Sequence, residues 1–211
     1  RFAEGNNSIG TTIDEFAWMA ETLSVDGIAG LEVNVSCPNV ECEGMAFGVD
    51  PKVVEAVTKA VRKVTDKPVI VKLSPNVTDI VEIAKAVEAG GGNGVSLINT
   101  LLGMAIDIHR RKPVLGNTYG GLSGPAVKPV ALRMVHQVYK GVTIPIIGLG
   151  GIMTGTDAIE FMMAGAQAVQ VGTATMVDPT AISRIAREMS EYVEQYNLNS
   201  ITDIVGAVHH V

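Results

Sequence analysis

The sequence predicts an α/β protein built on a parallel sheet, and three observations carry that reading. Short β-branched runs alternate with amphipathic helical segments along the chain. The runs read as continuous apolar stretches, the pattern of strands buried on both faces. The 211 residues include 23 glycines and only 4% aromatics, with 47% hydrophobic and 18% charged residues, so the core is built from small aliphatic side chains and glycine remains for loops that approach a ligand. This length suits one domain.

Residues 1–11, polar and without a period, are expected to form an irregular start. The spacing of Ile13, Phe16, Ala17, Ala20 and Leu23 predicts a helix over 12–24. LEVNV (31–35) is the first predicted strand. Asp50-Pro51 supplies an N-cap and first-turn proline for a helix with Val53, Val57, Ala60, Val61 and Val64 inward. PVIVKL (68–73) is the second strand. A helix over 78–89 follows, with Ile80, Ile83, Ala84 and Val87 inward and three glycines to stop it. GVSLI (94–98) is the third strand. The connection 99–124 is long, and long connections in compact domains are usually functional. Pro125 starts a helix to about Lys140, IPIIGL (144–149) is the fourth strand, 156–164 a short helix, and AVQVG (168–172) the fifth strand. Asp178-Pro179 caps a last long helix to about Tyr196, and an amphipathic turn covers 201–205.

Two architectures accommodate this order: an open doubly wound sheet or a barrel. The first needs G-x-G-x-x-G after the first strand, and the nearest candidate, at 148–153, lacks the last glycine and follows the fourth. A complete (β/α)8 barrel, the TIM barrel, takes about 250 residues, so the chain reads as the C-terminal five βα units of one.

Ligands of such barrels sit at the C-terminal strand ends. Those ends are NVSCPN (34–39), KLSPN (72–76), INT (98–100), GLGG (148–151) and VGT (171–173). Cys37 lies between Asn34 and Asn39, a setting that favours a reactive thiol over a buried hydrophobe. Cys42 lies five residues on, but two cysteines without a nearby histidine make no metal site. Lys72 ends an apolar strand, where the choice is between a side chain that snorkels outward and a cation facing an anionic ligand. Asn34, Asn39, Asn99 and Thr100 offer donors and acceptors to a planar, amide-rich ligand. Gly124, Gly150, Gly151, Gly172 and Thr173 suggest a phosphate site in the last two units. Arg110-Arg111-Lys112 reads as a solvated or interface loop.

The net charge of −6 argues against a nucleic-acid partner. No run of 18 apolar residues and no signal peptide is legible, so no membrane span is expected. Two cysteines make no disulfide framework, and a cytoplasmic location is expected.

NVSCPN (34–39), VKLSPN (71–76), INTLLGM (98–104), GGLSGPAVKPVALRMV (120–135), PIIGLGGI (145–152) and VGTA (171–174), six motifs in order, resemble the dihydroorotate dehydrogenase family. The resemblance runs from about residue 12 to 208. INTLLGM and the glycine-rich block favour class 1, subtype B, the catalytic subunit of the NAD-linked bacterial form. It implies an FMN-binding barrel that oxidises dihydroorotate to orotate in pyrimidine biosynthesis. It makes Cys37 the catalytic base. Asn34, Lys72, Ile98, Gly124, Gly150, Gly151, Gly172 and Thr173 would line the FMN site, and Asn34, Asn39, Asn99 and Thr100 would hold substrate. The implied partners are a second copy of the barrel and an FAD and iron–sulfur subunit leading to NAD, since two cysteines cannot hold a cluster. After Cys37 the family has a glycine pair where this chain has Glu43-Gly44. The alternatives are another FMN barrel, dihydropyrimidine dehydrogenase, which shares a Ser-Cys-Pro loop, or a non-catalytic barrel fragment.

Overall fold

A computed structural model of the chain describes residues 2–4, 12–35 and 47–208. Its centre is a six-stranded parallel sheet of β1 (Phe2–Glu4), β2 (Gly30–Asn34), β3 (Val69–Leu73), β4 (Gly94–Leu97), β9 (Ile146–Leu149) and β10 (Ala168–Gln170), neighbours in that order. The sheet therefore has one strand more than the five expected. Phe2–Glu4 was read as part of an irregular start because three residues are too few to show a period, yet they pair in parallel with Gly30–Glu32. The rest of 5–11 lies outside the described residues.

Helices cover one face of the sheet in chain order: α1 (Ile13–Leu23), α2 (Pro51–Val64), α3 (Ile80–Ala89), α4 (Lys128–Tyr139), α5 (Gly155–Met163) and α7 (Ala181–Gln195), each packed on the next. Their starts follow from side-chain caps that satisfy orphan amides. Thr12 accepts from Glu15, Asp50 from Lys52, and Asp79 from Val81. Thr154 and Asp157 close a capping box on α5. The inner face of α2 is rotated from the expected one, for Val54, Val57, Thr58 and Val61 are buried. Thr58 fits there because its hydroxyl donates to the Val54 carbonyl at 2.7 Å.

The strands are not apolar on both faces. Leu31, Val33, Val69, Val71, Leu73, Val95 and Leu97 point to the helices and are buried in the main core. The opposite face carries Glu32, Asn34, Lys72, Ser96 and Gln170 among Ile70, Ile147 and Leu149, which the parallel registers place side by side. The alternation in LEVN was masked by the neighbouring apolar residues. The sheet curls toward this inner face: Gln170 Nε2 on β10 donates to Glu32 Oε1 on β2 at 2.9 Å, across the concave side. This is the curvature of a (β/α) barrel, of which six strands are present here.

Two further corrections concern the C-terminal ends of strands. The connection 99–124 holds β5 (Leu101–Met104) antiparallel to β8 (Tyr119–Leu122), with β6 (Ile106–Asp107) and β7 (Lys112–Pro113) paired farther out. Arg110, Arg111 and Lys112 are exposed at the tip of this double hairpin. And the residues after β10 form a short helix, α6 (Thr173–Val177), before α7. Asp178 ends it with a turn, accepting from the Thr180 amide at 2.9 Å and hydroxyl at 2.7 Å. The pattern Thr173–Val177 is too short to show helical periodicity.

Candidate functional site

β2, β3 and β4 set three polar residues side by side at their C-terminal ends. Asn34 stands opposite Lys72, and Lys72 opposite Ser96. Asn99 follows β4, and its Nδ2 donates to Asn34 Oδ1 at 3.2 Å. Its own Oδ1 accepts from the Thr100 amide at 2.8 Å, which turns the chain outward into β5. Asn76 secures that turn, donating to the Thr100 carbonyl at 3.1 Å and accepting from the Leu102 amide at 2.9 Å. Ile98 is buried beneath the turn, and its peptide bond to Leu97 is cis.

The opposite wall is glycine. Gly124, Gly150 and Gly151 all have positive φ, at 86°, 125° and 79°. A Cβ on Gly151 would lie 2.7 Å from the Gly124 carbonyl oxygen, and one on Gly150 2.9 Å from Ala131 Cβ. Only glycine meets both constraints. Gly172 caps α6 without a side-chain bond, and Thr173 Oγ1 donates to Ser123 Oγ at 2.9 Å.

These walls enclose a cavity of about 370 Å3, lined by Lys72, Ile98, Asn99, Thr100, Gly124, Gly150, Gly151, Gly172 and Thr173. Nine residues singled out from the sequence thus meet around one space, and Asn34 joins them through Asn99. Cys37, Asn39, Cys42 and Glu43-Gly44 lie outside the described residues. A second cavity of about 860 Å3 lies on the inner face of the sheet, sharing Lys72, Leu149, Gln170 and Gly172 with the first.

The glycine turn is braced from behind. Asp157 Oδ2 accepts from the Met153 and Thr154 amides, both at 2.9 Å, while Oδ1 lies 2.6 Å from Lys128 Nζ. Lys128 also reaches Glu160 at 2.8 Å. Glu188 accepts from the Gly155 amide and pairs with Arg184, which donates to the Met153 carbonyl at 3.1 Å. The first turn of α5 is therefore occupied by acids of the chain itself. Gly150, Gly151, Gly172 and Thr173, at the start of α6, share the mouth cavity. Burial raises the Asp157 carboxyl, but Lys128 and the two amides outweigh it and hold the group below its usual range. Asp157 and Glu160 in turn hold the Lys128 ammonium above its usual range. The Gly155 amide and Arg184 keep Glu188 low.

Sequence reasoning missed Glu32, Asn76, Gln170 and this brace. Glu32 was legible as an acid inside an apolar run, whereas Asn76, Gln170 and Lys128 gain meaning only from partners 24 or more residues away.

An inner strand face that presents a cation and amides on one side of the mouth and close-packed glycines on the other defines the ligand-binding mouth of a barrel enzyme. The comparisons are specific. The family model described as dihydroorotate dehydrogenase matches residues 5–193, and the chain belongs to that family. Among its relatives is the dihydroorotate dehydrogenase B (NAD(+)) catalytic subunit of Desulforamulus reducens, 61% identical over 96% of this chain and 67% of the relative. The proteins of the same name from Geobacter sp. (strain M21) and Geobacter metallireducens are 57% and 58% identical over the same shares. The chain thus spans about two thirds of the length of these relatives. Their designation as catalytic subunits implies a further subunit in those proteins. Among the described residues no helix is long and apolar enough to cross a membrane.

Proposed function

We propose that the chain carries the catalytic barrel of a dihydroorotate dehydrogenase that oxidises dihydroorotate to orotate in pyrimidine biosynthesis, with FMN as its cofactor. The observation that carries the reading is the meeting of Lys72, Asn99 and Thr100 with Gly124, Gly150, Gly151, Gly172 and Thr173 around one cavity. The residues fit the cofactor. Close packing against Ala131, Gly124 and Lys128 requires glycine at 150 and 151, and both glycines line the mouth cavity, where their backbone would meet a phosphate. Lys72 and Asn34, paired in register at the strand ends, would meet the polar edge of the ring system, and the buried Ile98 supplies an apolar surface beside them.

When bound, FMN supplies the hydride acceptor for C6 of dihydroorotate. Cys37, three residues past the end of β2, takes the C5 proton, so the substrate loses one hydride and one proton and the C5–C6 double bond forms. Its thiolate form is the base. Asn34, Asn39, Asn99 and Thr100 hold the substrate's carboxylate and imide groups, and the hydrogen bonds that fix Asn99 limit how the substrate can lie. Lys72 would hold a positive charge beside the N1–O2 edge of the bound FMN and so favour its reduced form. Gly150, Gly151, Gly172 and Thr173 hold the phosphate. The enzyme works in the cytoplasm as a dimer of barrels, with an FAD and iron–sulfur subunit that passes electrons to NAD.

The test is spectroscopic. The purified full-length protein is expected to show flavin absorbance, to release FMN on denaturation and to bleach anaerobically with dihydroorotate but not with dihydrouracil. Bleaching by dihydrouracil instead would move the chain to the pyrimidine-reducing barrels, and a colourless protein that takes up no FMN would make it an inert barrel.

A further inference from the structure

We propose that Glu32 is a positioning residue for Lys72: its buried carboxylate anchors the lysine at the mouth and limits how far that cation favours the reduced cofactor. The second half rests on the FMN reading above, whereas the first does not.

Glu32 is 4% exposed and lies on the inner face of the sheet, one layer below Asn34 and Lys72. One carboxylate oxygen accepts from Ser96 Oγ on β4 and from Gln170 Nε2 on β10, at 2.5 and 2.9 Å. The other faces Lys72 Nζ at 3.8 Å. Desolvating a carboxylate is costly, and a buried ion pair is often no more stabilising than apolar residues of the same volume. Ile70, Ile147 and Leu149 already fill neighbouring inner positions, so an aliphatic residue at 32 would suit packing alone. The charge at this position acts on its charged neighbour. Two hydrogen bonds fix one oxygen, which aims the other at the ammonium, and Gln170 and Lys72 both also line the mouth cavity. The pair draws the ammonium to the inner face, where the lysine side chain is only 17% exposed. A negative charge this near also offsets part of the positive field at the mouth.

Glu32→Gln keeps the shape and the bonding capacity toward Ser96 and Gln170 but removes the charge. Two measurements on the full-length protein follow. In the flavin-free protein, acetylation of Lys72 by a succinimidyl ester, read by peptide mass spectrometry, should accelerate at least threefold in Glu32→Gln, while the exposed Lys59 reacts at an unchanged rate. In the flavin-loaded protein, the ratio of oxidised to reduced FMN dissociation constants should rise about tenfold, which is about 30 mV upward for a two-electron couple. An unchanged Lys72 acetylation rate in a variant that melts like the parent overturns the anchoring. Accelerated acetylation with an unmoved potential overturns the tuning alone. A parent that takes up no FMN overturns the cofactor reading, and with it the tuning, while the acetylation arm still decides the anchoring.

Discussion

The roles proposed for Cys37 and Lys72 divide the chemistry between a proton and a charge. A base in the reacting position contributes about 10²–10⁴-fold, so Cys37→Ala should retain FMN yet lose flavin reduction by dihydroorotate by that factor in stopped-flow measurements. A free thiol ionises near pH 8.5, so the parent's reduction rate should climb through the neutral-to-alkaline range, and the variant's residual rate should not. Lys72 acts by its charge. A charge-assisted hydrogen bond is worth about 1.5–3 kcal/mol, or roughly 30–65 mV for a two-electron couple. Lys72→Ala should lower the FMN potential by tens of millivolts, and Lys72→Gln should recover FMN binding but little of the potential. A redox titration of the three proteins decides, because an unmoved potential in both variants would place the ammonium away from the ring. The side chain was readable from sequence only as either snorkelling or inward. Its partial burial and the facing Glu32 favour the inward choice.

At the scale of elements, the turn between β9 and α5 is the part most dependent on charges behind it. Asp157 and Glu188 are held low, so their contribution to stability is complete above the unfolded carboxylate range near pH 4 and is lost as pH falls through their folded values. Lys128 is held high, so its contribution is complete below the unfolded value of about 10.4 and is lost as pH rises through the folded one. The brace is therefore intact across the neutral range. Asp157→Asn weakens the acceptor of two amides and turns the oxygen facing Lys128 into an uncharged donor, and should cost about 1–3 kcal/mol in urea unfolding at pH 7. The loss should shrink below about pH 4, where the parent's own carboxylate protonates. A cost that stays constant across that range would mean that Asp157 acts by shape and not by charge. The same variant should weaken FMN binding, since the amides it releases belong to the turn that carries Gly150 and Gly151.

At the scale of the whole molecule, the sheet has two different faces. The outer face is dry: Leu73 is fully buried between β3 and the helices. Leu73→Ala should cost about 2–5 kcal/mol, read from the denaturant midpoint, whereas Trp18→Ala, on the exposed side of α1, should stay within about 0.5 kcal/mol. Equal costs would mean that the helical layer does not bury the outer face as described. The inner face is polar and curled, and a side-chain bond from β10 to β2 spans it. Leu102, Met104, Ile106, Ile108, Val114 and Tyr119 leave the double hairpin with an exposed apolar surface. No period announces this surface in 99–124, because its strands are short and turn back on themselves.

The sequence by itself determined five of the parallel strands, the helices between them, the Asp50 cap and most of the described mouth, whereas Asp178, expected to cap the last helix, instead makes the turn that precedes it. Asp50-Pro51, the outward valines and the asparagines and glycines after each strand act locally, so their patterns survive without the fold. Strand ends in a parallel sheet all face one way, which turned six separate motifs into one site before any coordinate was known. Tertiary structure decided what depends on distant partners. It paired Phe2–Glu4 with β2, rotated α2 to bury Thr58, closed the first turn of α5 with Asp157 and Glu188, and set Glu32 against Lys72, Ser96 and Gln170. Each is a contact between residues that no period links. In a low-dielectric interior such contacts are resolved by which charge and which hydrogen bond can be satisfied, and only the folded chain brings the candidates together.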